Sequence, residues 1–328
     1  MTVSKREPSE PSPDSVIWRY MDDWKFKLLL SRFTEQKLWQ PERPGRRTVY
    51  FNDPGQVWFA FPSTFGDLNE TKEGMFPDAN EDPEQFCDRM AAHMKLSKED
   101  ATAMKGRWLK SRTKSVRDGI FFMAQLCGVS SWNANQNESQ SMWRDFVHEQ
   151  NGVAIRSTCK NVEHALGYVL ASPARRATPA LCQVGYVDHS DYFLPYEGHL
   201  ELLAIVNESY SPENEIRFIA KSPELVNVLS GLDRSLPLEA LADKAEFKTA
   251  YAQRIDEYFA ELTTKTRDVY RAMRESDREG FSLPVSLSEL LGEVVLKPGC
   301  TSDYADAVIR QLNDAGCSNV TVRPSSLA

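Results

Sequence analysis

No two cysteines in this chain are spaced as C-x-x-C. Cys87, Cys127, Cys159, Cys182, Cys300 and Cys317 are scattered, and the five histidines do not cluster near them. The usual zinc-ligand spacings are therefore missing. Scattered cysteines without a secretory leader fit a reducing, cytoplasmic setting. No apolar run reaches ~18 residues, so no membrane-spanning helix is expected. There is no G-x-G-x-x-G and no G-x-x-x-x-G-K-[ST], which removes the Rossmann and P-loop nucleotide sites. There is no G-x-S-x-G elbow for a serine triad. Cys127 sits in an apolar stretch without a neighbouring histidine, which argues against a thiol nucleophile. Positive charge is also short. Lys and Arg number 39 against 47 Asp and Glu, a net charge of −8. Bulk attraction to nucleic acid is thus not expected. Lys105, Arg107, Lys110, Arg112, Lys114 and Arg117 form a local basic stretch. It reads either as a solvated helix face or as a groove for a polyanion.

The 328 residues are 41% hydrophobic, enough for a sizeable core. Residues 1–15, rich in Pro, Ser and charge, read as a disordered tail. Residues 16–328 read as one α+β domain with a helical insert at about 225–280. Val16 to Tyr20 is an aromatic strand, and Asp22 or Asp23 is placed to cap a helix running to about Trp39. Val57 to Phe61 is a strand entering a turn at Pro62 to Asp67. The polar stretch from Pro83 to Lys114 reads as helical. Gly119 to Trp132 reads as a strand, Glu138 to Glu149 as a helix, and Gly152 to Ser157 as a strand. Val162 to Leu170 is a short helix, Leu181 to Asp188 a strand, and Glu215 to Ala220 a further strand. Leu238 to Arg278 carries apolar residues at helical spacing. The chain closes with strand Val294 to Leu296, helix Ser302 to Ala315 and strand Val320 to Val322. A cap at Thr301 or Ser302 and a stop at Gly316 mark the last helix. This irregular order suits a split, mostly antiparallel sheet with flanking helices.

Polar side chains inside apolar strands lose water and need partners. Arg19, Ser130, Ser131, Glu213 and Glu215 are placed this way. Glu213 and Glu215 alternate on one strand and share a face with Arg217, so an ion pair is as available to them as a catalytic role. Trp132 and Trp143 fit a core. Asp67 and Glu70 lie in a turn, where Asp67 fits a capping role.

Four stretches resemble the bacterial family catalogued as domain of unknown function 2971. These are Trp18-Arg19-Tyr20, then Val57 to Glu73 with Phe65, Asp67 and Glu70, then Ser131-Trp132 with Met142-Trp143 and Gly152 to Ile155, and finally Glu213-Asn214-Glu215-Ile216-Arg217. The closing Gly292 to Pro298 and Ser326-Leu327 are similar too. The order of elements also resembles that of ADP-ribosyltransferases, including DarT-type toxins that modify DNA.

That second resemblance implies an NAD-dependent mono-ADP-ribosyltransferase-like enzyme. Its setting would be a bacterial toxin or phage-defence effector, with a protein, DNA or RNA acceptor and an antitoxin or other partner. NAD⁺ would bind in the cleft of the split sheet as substrate and lose nicotinamide through an oxocarbenium-like transition state. Glu215 would stabilise that cation, and Glu213 would activate the acceptor. Arg19 would bind the phosphates or ribose. Ser130 and Ser131 would line the floor, and Tyr20, Phe61 or Trp132 would form an aromatic wall. Glu215, Arg19 and one serine are expected to converge in one pocket. The rival from another class is a non-catalytic sensor or scaffold. It would pair the glutamates with Arg217 and bind a partner through the insert. A third reading is a metal-dependent nuclease using Asp67, Glu70 and Glu215.

Overall fold

The computed structural model describes residues 9–32, 54–65, 88, 97–99, 102, 121–167, 180–187, 203–232 and 245–327, without the side chains of 54, 167, 187, 230 and 245–259. Residues 1–8, the basic stretch, Asp67 and Glu70 lie outside the described residues. Among the described residues no helix is long and apolar enough to cross a membrane.

The fold is α+β, a mixed and mostly antiparallel sheet flanked by helices. The first strand, β1 (Val16–Asp22), leads into α1 (Asp23–Leu30), and then come β2 (Pro54–Ala60) and β3 (Cys127–Asn133). Next are α2 (Gln140–Phe146), β4 (Gly152–Thr158) and α3 (Cys159–Gly167). Short strands β5 (Ala180–Gln183), β6 (Gly185–Val187) and β7 (Ile205–Asn207) precede a 3₁₀ segment, Glu208–Glu213, and β8 (Glu215–Lys221). The chain continues through α4 (Pro223–Gly231), α5 (Ala245–Glu275), β9 (Gly280–Ser286) and α6 (Leu287–Leu290). It ends with β10 (Glu293–Leu296), α7 (Ser302–Asp314) and β11 (Thr321–Pro324).

The main sheet runs β11-β10-β4-β1-β3-β2-β9, with β8 on β3 and β5 on β8. Among the described strands, only β10 and β11 pair in parallel within it. A separate two-stranded sheet joins β6 to β7. The position of β3 decides the architecture. It takes β8 along its whole length, from Cys127↔Lys221 to Asn133↔Glu215. A strand has two hydrogen-bonding edges, so β1 and β2 must share the other one. Trp18 of β1 pairs with Asn133, and Ala60 of β2 pairs with Val129. The sheet therefore forks beside Ser130, Ser131 and Trp132.

The main core runs through Ile17, Val153, Ile155 and Val294 to Phe59, Phe281, Trp132 and Phe218. A smaller core joins Trp18, Tyr20, Ala154 and Val295 to Met142, Trp143 and Val147 of α2. The alternation of β1 residues between these two cores follows the period-two pleat.

Several sequence expectations change here. Residues 121–125 are helical, and β3 starts only at Cys127. The helix α1 ends at Leu30, and Asp22, though at its N-cap, makes no side-chain cap bond. Its carboxylate instead accepts from the amides of His148 and Glu149, at 2.8 and 3.0 Å. Leu181 to Asp188 breaks into two strands of different sheets. Residues 9–15 are attached to the fold. Ser9 bridges Gln183, and the carbonyls of Pro13 and Ser15 accept from the amides of Lys160 and Cys159. The insert holds α4 and α5, but its far end enters β9, a sheet strand paired with β2 over seven residues.

Candidate functional site at the fork of the sheet

Arg19 follows Trp18, the β1 residue that pairs with β3, so its side chain emerges where the two branches part. Its Nη1 donates to Ser130 Oγ at 2.7 Å, and its Nη2 donates to the carbonyl of Trp58 at 3.2 Å. Its Cζ lies 5.6 Å from the ring centroid of Trp132. Trp132 Nε1 also donates to Ser130 Oγ, at 3.2 Å. Arg19 thus bridges β1, β2 and β3 across the opening. A guanidinium has five N–H donors. Only two protein acceptors meet it, and no carboxylate pairs with it among the described residues. Burial pulls its pKa down to about 10, because the charge has lost water.

The late Glu-x-Glu segment is built differently. Glu215 Oε1 accepts from Arg217 Nε at 2.9 Å, with the two side chains only 7% and 5% exposed. Arg217 Nη1 donates to the carbonyl of Leu203 at 2.8 Å, and its Cζ lies 5.4 Å from the ring centroid of Phe65. The amide of Glu215 donates to Tyr186 Oη at 2.7 Å. Burial raises the Tyr186 phenol well above its ordinary value. This is a closed, neutralised cluster.

Register separates the two groups. Asn133 pairs with both Trp18 and Glu215, so those three side chains share one face of the sheet. Arg19, one residue past Trp18, lies on the other face with Ser130 and Trp132. The expected convergence of Glu215 with Arg19 is therefore not what the fold provides. Arg19 meets Ser130, and Glu215 meets Arg217. Ser131 pairs in register with Arg217 and is exposed on that side. Glu213 ends the 3₁₀ segment before Asn214, which has a left-handed φ of 44°, so it does not continue the strand face of Glu215. Its main-chain carbonyl accepts from Asn133 Nδ2.

The aromatic wall also moves. Trp132 and Phe61 are buried, with Phe61 packed 5.6 Å from Phe281. Tyr20 faces α2, where its ring meets Trp143 edge-on at 4.9 Å and its Oη accepts from the amide of Ser139 at 2.9 Å. The aromatic side chain open to solvent beside the fork is Trp58, which the sequence reading left unassigned. The available signal was its position between Val57 and Phe59. Alternation with two core residues turns it outward.

No known family, characterised protein or solved structure matches this chain. The geometry of the fork alone must carry the functional reading. Among the described residues, no group of three or more His, Cys, Asp or Glu side chains is placed to hold a metal ion.

Proposed function

We propose that this protein binds an anionic nucleotide at the fork of its sheet, with Arg19 as the phosphate ligand. The sequence resemblance names NAD⁺ as that nucleotide. One observation carries the reading. Arg19 is a partly buried guanidinium with spare donors and, among the described residues, no carboxylate partner. A desolvated cation is costly unless an anion completes it, and planar guanidinium donors match phosphate oxygens well.

Two functional readings then differ over Glu215. An ADP-ribosyltransferase-like enzyme needs a carboxylate beside the developing ribosyl cation. Glu215 could serve only by leaving Arg217 and reaching round the edge of β3. A sensor that binds the nucleotide without transferring it needs no such change. The 2.9 Å pair with Arg217, held further by the Leu203 carbonyl, favours the sensor reading. The nuclease reading loses Glu215 to the same pair.

Calorimetric titration with NAD⁺ and with inorganic pyrophosphate tests the proposal, together with an assay for released nicotinamide. Both ligands should bind, and Arg19→Ala should weaken both by about 10- to 100-fold, the range of a charge-assisted hydrogen bond. Nicotinamide release that disappears in Glu215→Gln would assign transfer. Binding without release would assign the sensor. Absence of binding by either ligand at millimolar concentration would overturn the proposal.

A further inference from the structure

We infer that residues 325–327 are a strap that opens and closes on Glu138 while the sheet beneath stays folded. Closed, the strap buries the Glu138 carboxylate and packs against the small aromatic core under α2. The inference does not depend on a ligand at Arg19.

Three observations carry it. The clasp is one-sided. The Glu138 side chain is only 2% exposed, and among the described residues its four hydrogen bonds all come from residues 323–326. Arg323 Nη1 donates at 2.7 Å, the amide and the hydroxyl of Ser326 each donate at 3.1 Å, and the hydroxyl of Ser325 donates to the other carboxylate oxygen. Next, little else holds the strap. β11 ends at Pro324, and among the described residues the last main-chain bond to the sheet runs from the amide of Ser325 to the carbonyl of Leu296, at 3.0 Å. The amide of Ser326 goes to Glu138 and that of Leu327 to Ser325 Oγ. Leu327 is half-buried and supplies the apolar contact. A segment with few buried apolar contacts and no ladder opens at low free energy. Last, opening strands no charge. Arg323 belongs to β11, where it bonds both Glu138 and Glu293. With the strap lifted, the Glu138 carboxylate keeps Arg323 and regains water.

The strap lies on the far side of β1 from the anion site. Leu327 packs against the core that holds Trp18, Tyr20, Met142 and Trp143. Trp18 and Tyr20 flank Arg19 in β1, and strand alternation puts them on the opposite face from it. Glu138 directly precedes Ser139, whose hydroxyl caps α2 by accepting from the amide of Met142 and whose own amide donates to Tyr20 Oη. The strap therefore joins the start of α2 to the end of β11. Lifting it frees that corner and leaves the ladders of β4 with β1 and β10 intact.

Native-state hydrogen exchange on the full chain tests it, read at the amides of Ser326 and Leu327 and at ladder amides of β4, a strand paired on both edges. The ladder amides should exchange through global unfolding, at a rate that climbs steeply with denaturant. The strap amides should exchange faster, at a rate nearly independent of denaturant, because opening so short a segment exposes little surface. Glu138→Gln should speed exchange at the strap by about 5- to 30-fold, the effect of losing a charged acceptor. Ser326→Ala keeps the carboxylate and should speed exchange at Leu327 by about 2- to 10-fold. If the strap amides share the denaturant slope of the β4 amides, the segment moves only with the whole fold and the inference is wrong. If neither strap amide is protected at all, the strap does not close and the inference is wrong again. A separate opening that Glu138→Gln leaves unchanged would overturn Glu138 as the clasp.

Discussion

Two arginines lie on opposite faces of the β3 region, and they are opposite in character. Arg217 sits over a carboxylate, a carbonyl and an aromatic ring. Arg19 sits among a hydroxyl, a carbonyl and an aromatic ring, without a carboxylate among the described residues. The aromatic and carbonyl partners are alike, so the counter-ion is what differs. A buried cation with its counter-ion is part of the framework, and removing that partner is what harms the fold. A buried cation without one is a place for a ligand's charge. Before the structure, Glu215 was the natural choice for function and Arg19 the accessory. The comparison reverses that order.

The strongest way to break the comparison is Glu215→Ala. It strands the Arg217 charge and should cost about 3–5 kcal/mol of stability, read as a lower denaturant midpoint. The double variant Glu215→Leu with Arg217→Met should recover most of the loss. A silent single variant would show that the pair is not structural. Arg19→Ala strands no carboxylate among the described residues, so its stability cost should be nearer ~1 kcal/mol. Its main effect should be the loss of the rise in Tm that pyrophosphate gives the wild type. The same interaction has a pH signature. Arg19 is charged below its folded pKa of about 10 and neutral above it. Pyrophosphate affinity should therefore fall as pH rises through about 10, below the ordinary arginine range.

Glu138 with Arg323 supplies an intermediate case, a partly exposed ion pair at β11. Burial pushes the Glu138 carboxyl up, but hydrogen bonds from Ser325, Arg323 and Ser326 outweigh it and hold it below 4.5. The stabilisation is present above that value and is lost as pH falls through the lower folded pKa. Glu138→Gln should cost about 1–2 kcal/mol near neutral pH, and the difference from wild type should vanish in acid. Chemical denaturation at several pH values measures it. The smallest effect sharpens the two faces directly. Ser130→Ala removes an acceptor shared by Arg19 and Trp132 and should cost ~1 kcal/mol. Ser131→Ala, at an exposed position, should stay within about 0.5 kcal/mol. Equal effects would mean that the faces do not differ.

Local signals carried the elements that the sequence located well. Val16 to Tyr20, Gly152 to Ser157 and Glu215 to Ala220 are strands, each extended by a residue or two. Thr301 caps α7 by accepting from the amide of Tyr304, and Gly316 stops it with a φ of 79°. These features depend on capping chemistry and apolar patterning that a few residues contain by themselves. The strand β9 was missed. Pro284 marks it against a central strand, and the structure uses it at the end of the described sheet, where proline is tolerated.

The candidate site shows the same division. The sequence alone determined that Arg19, Ser130 and Glu215 lie in strands, and that neighbours in each strand alternate between faces. It could not determine which faces coincide. A shift of one residue in pairing turns every side chain of a strand over, and that register is set by long-range packing. The pairing of Asn133 with both Trp18 and Glu215 placed Arg19 and Glu215 on opposite sides. The sharing of one β3 edge by β1 and β2 opened the fork beside Arg19 and Trp58, a consequence of strand pairing between segments 40 or more residues apart in the chain.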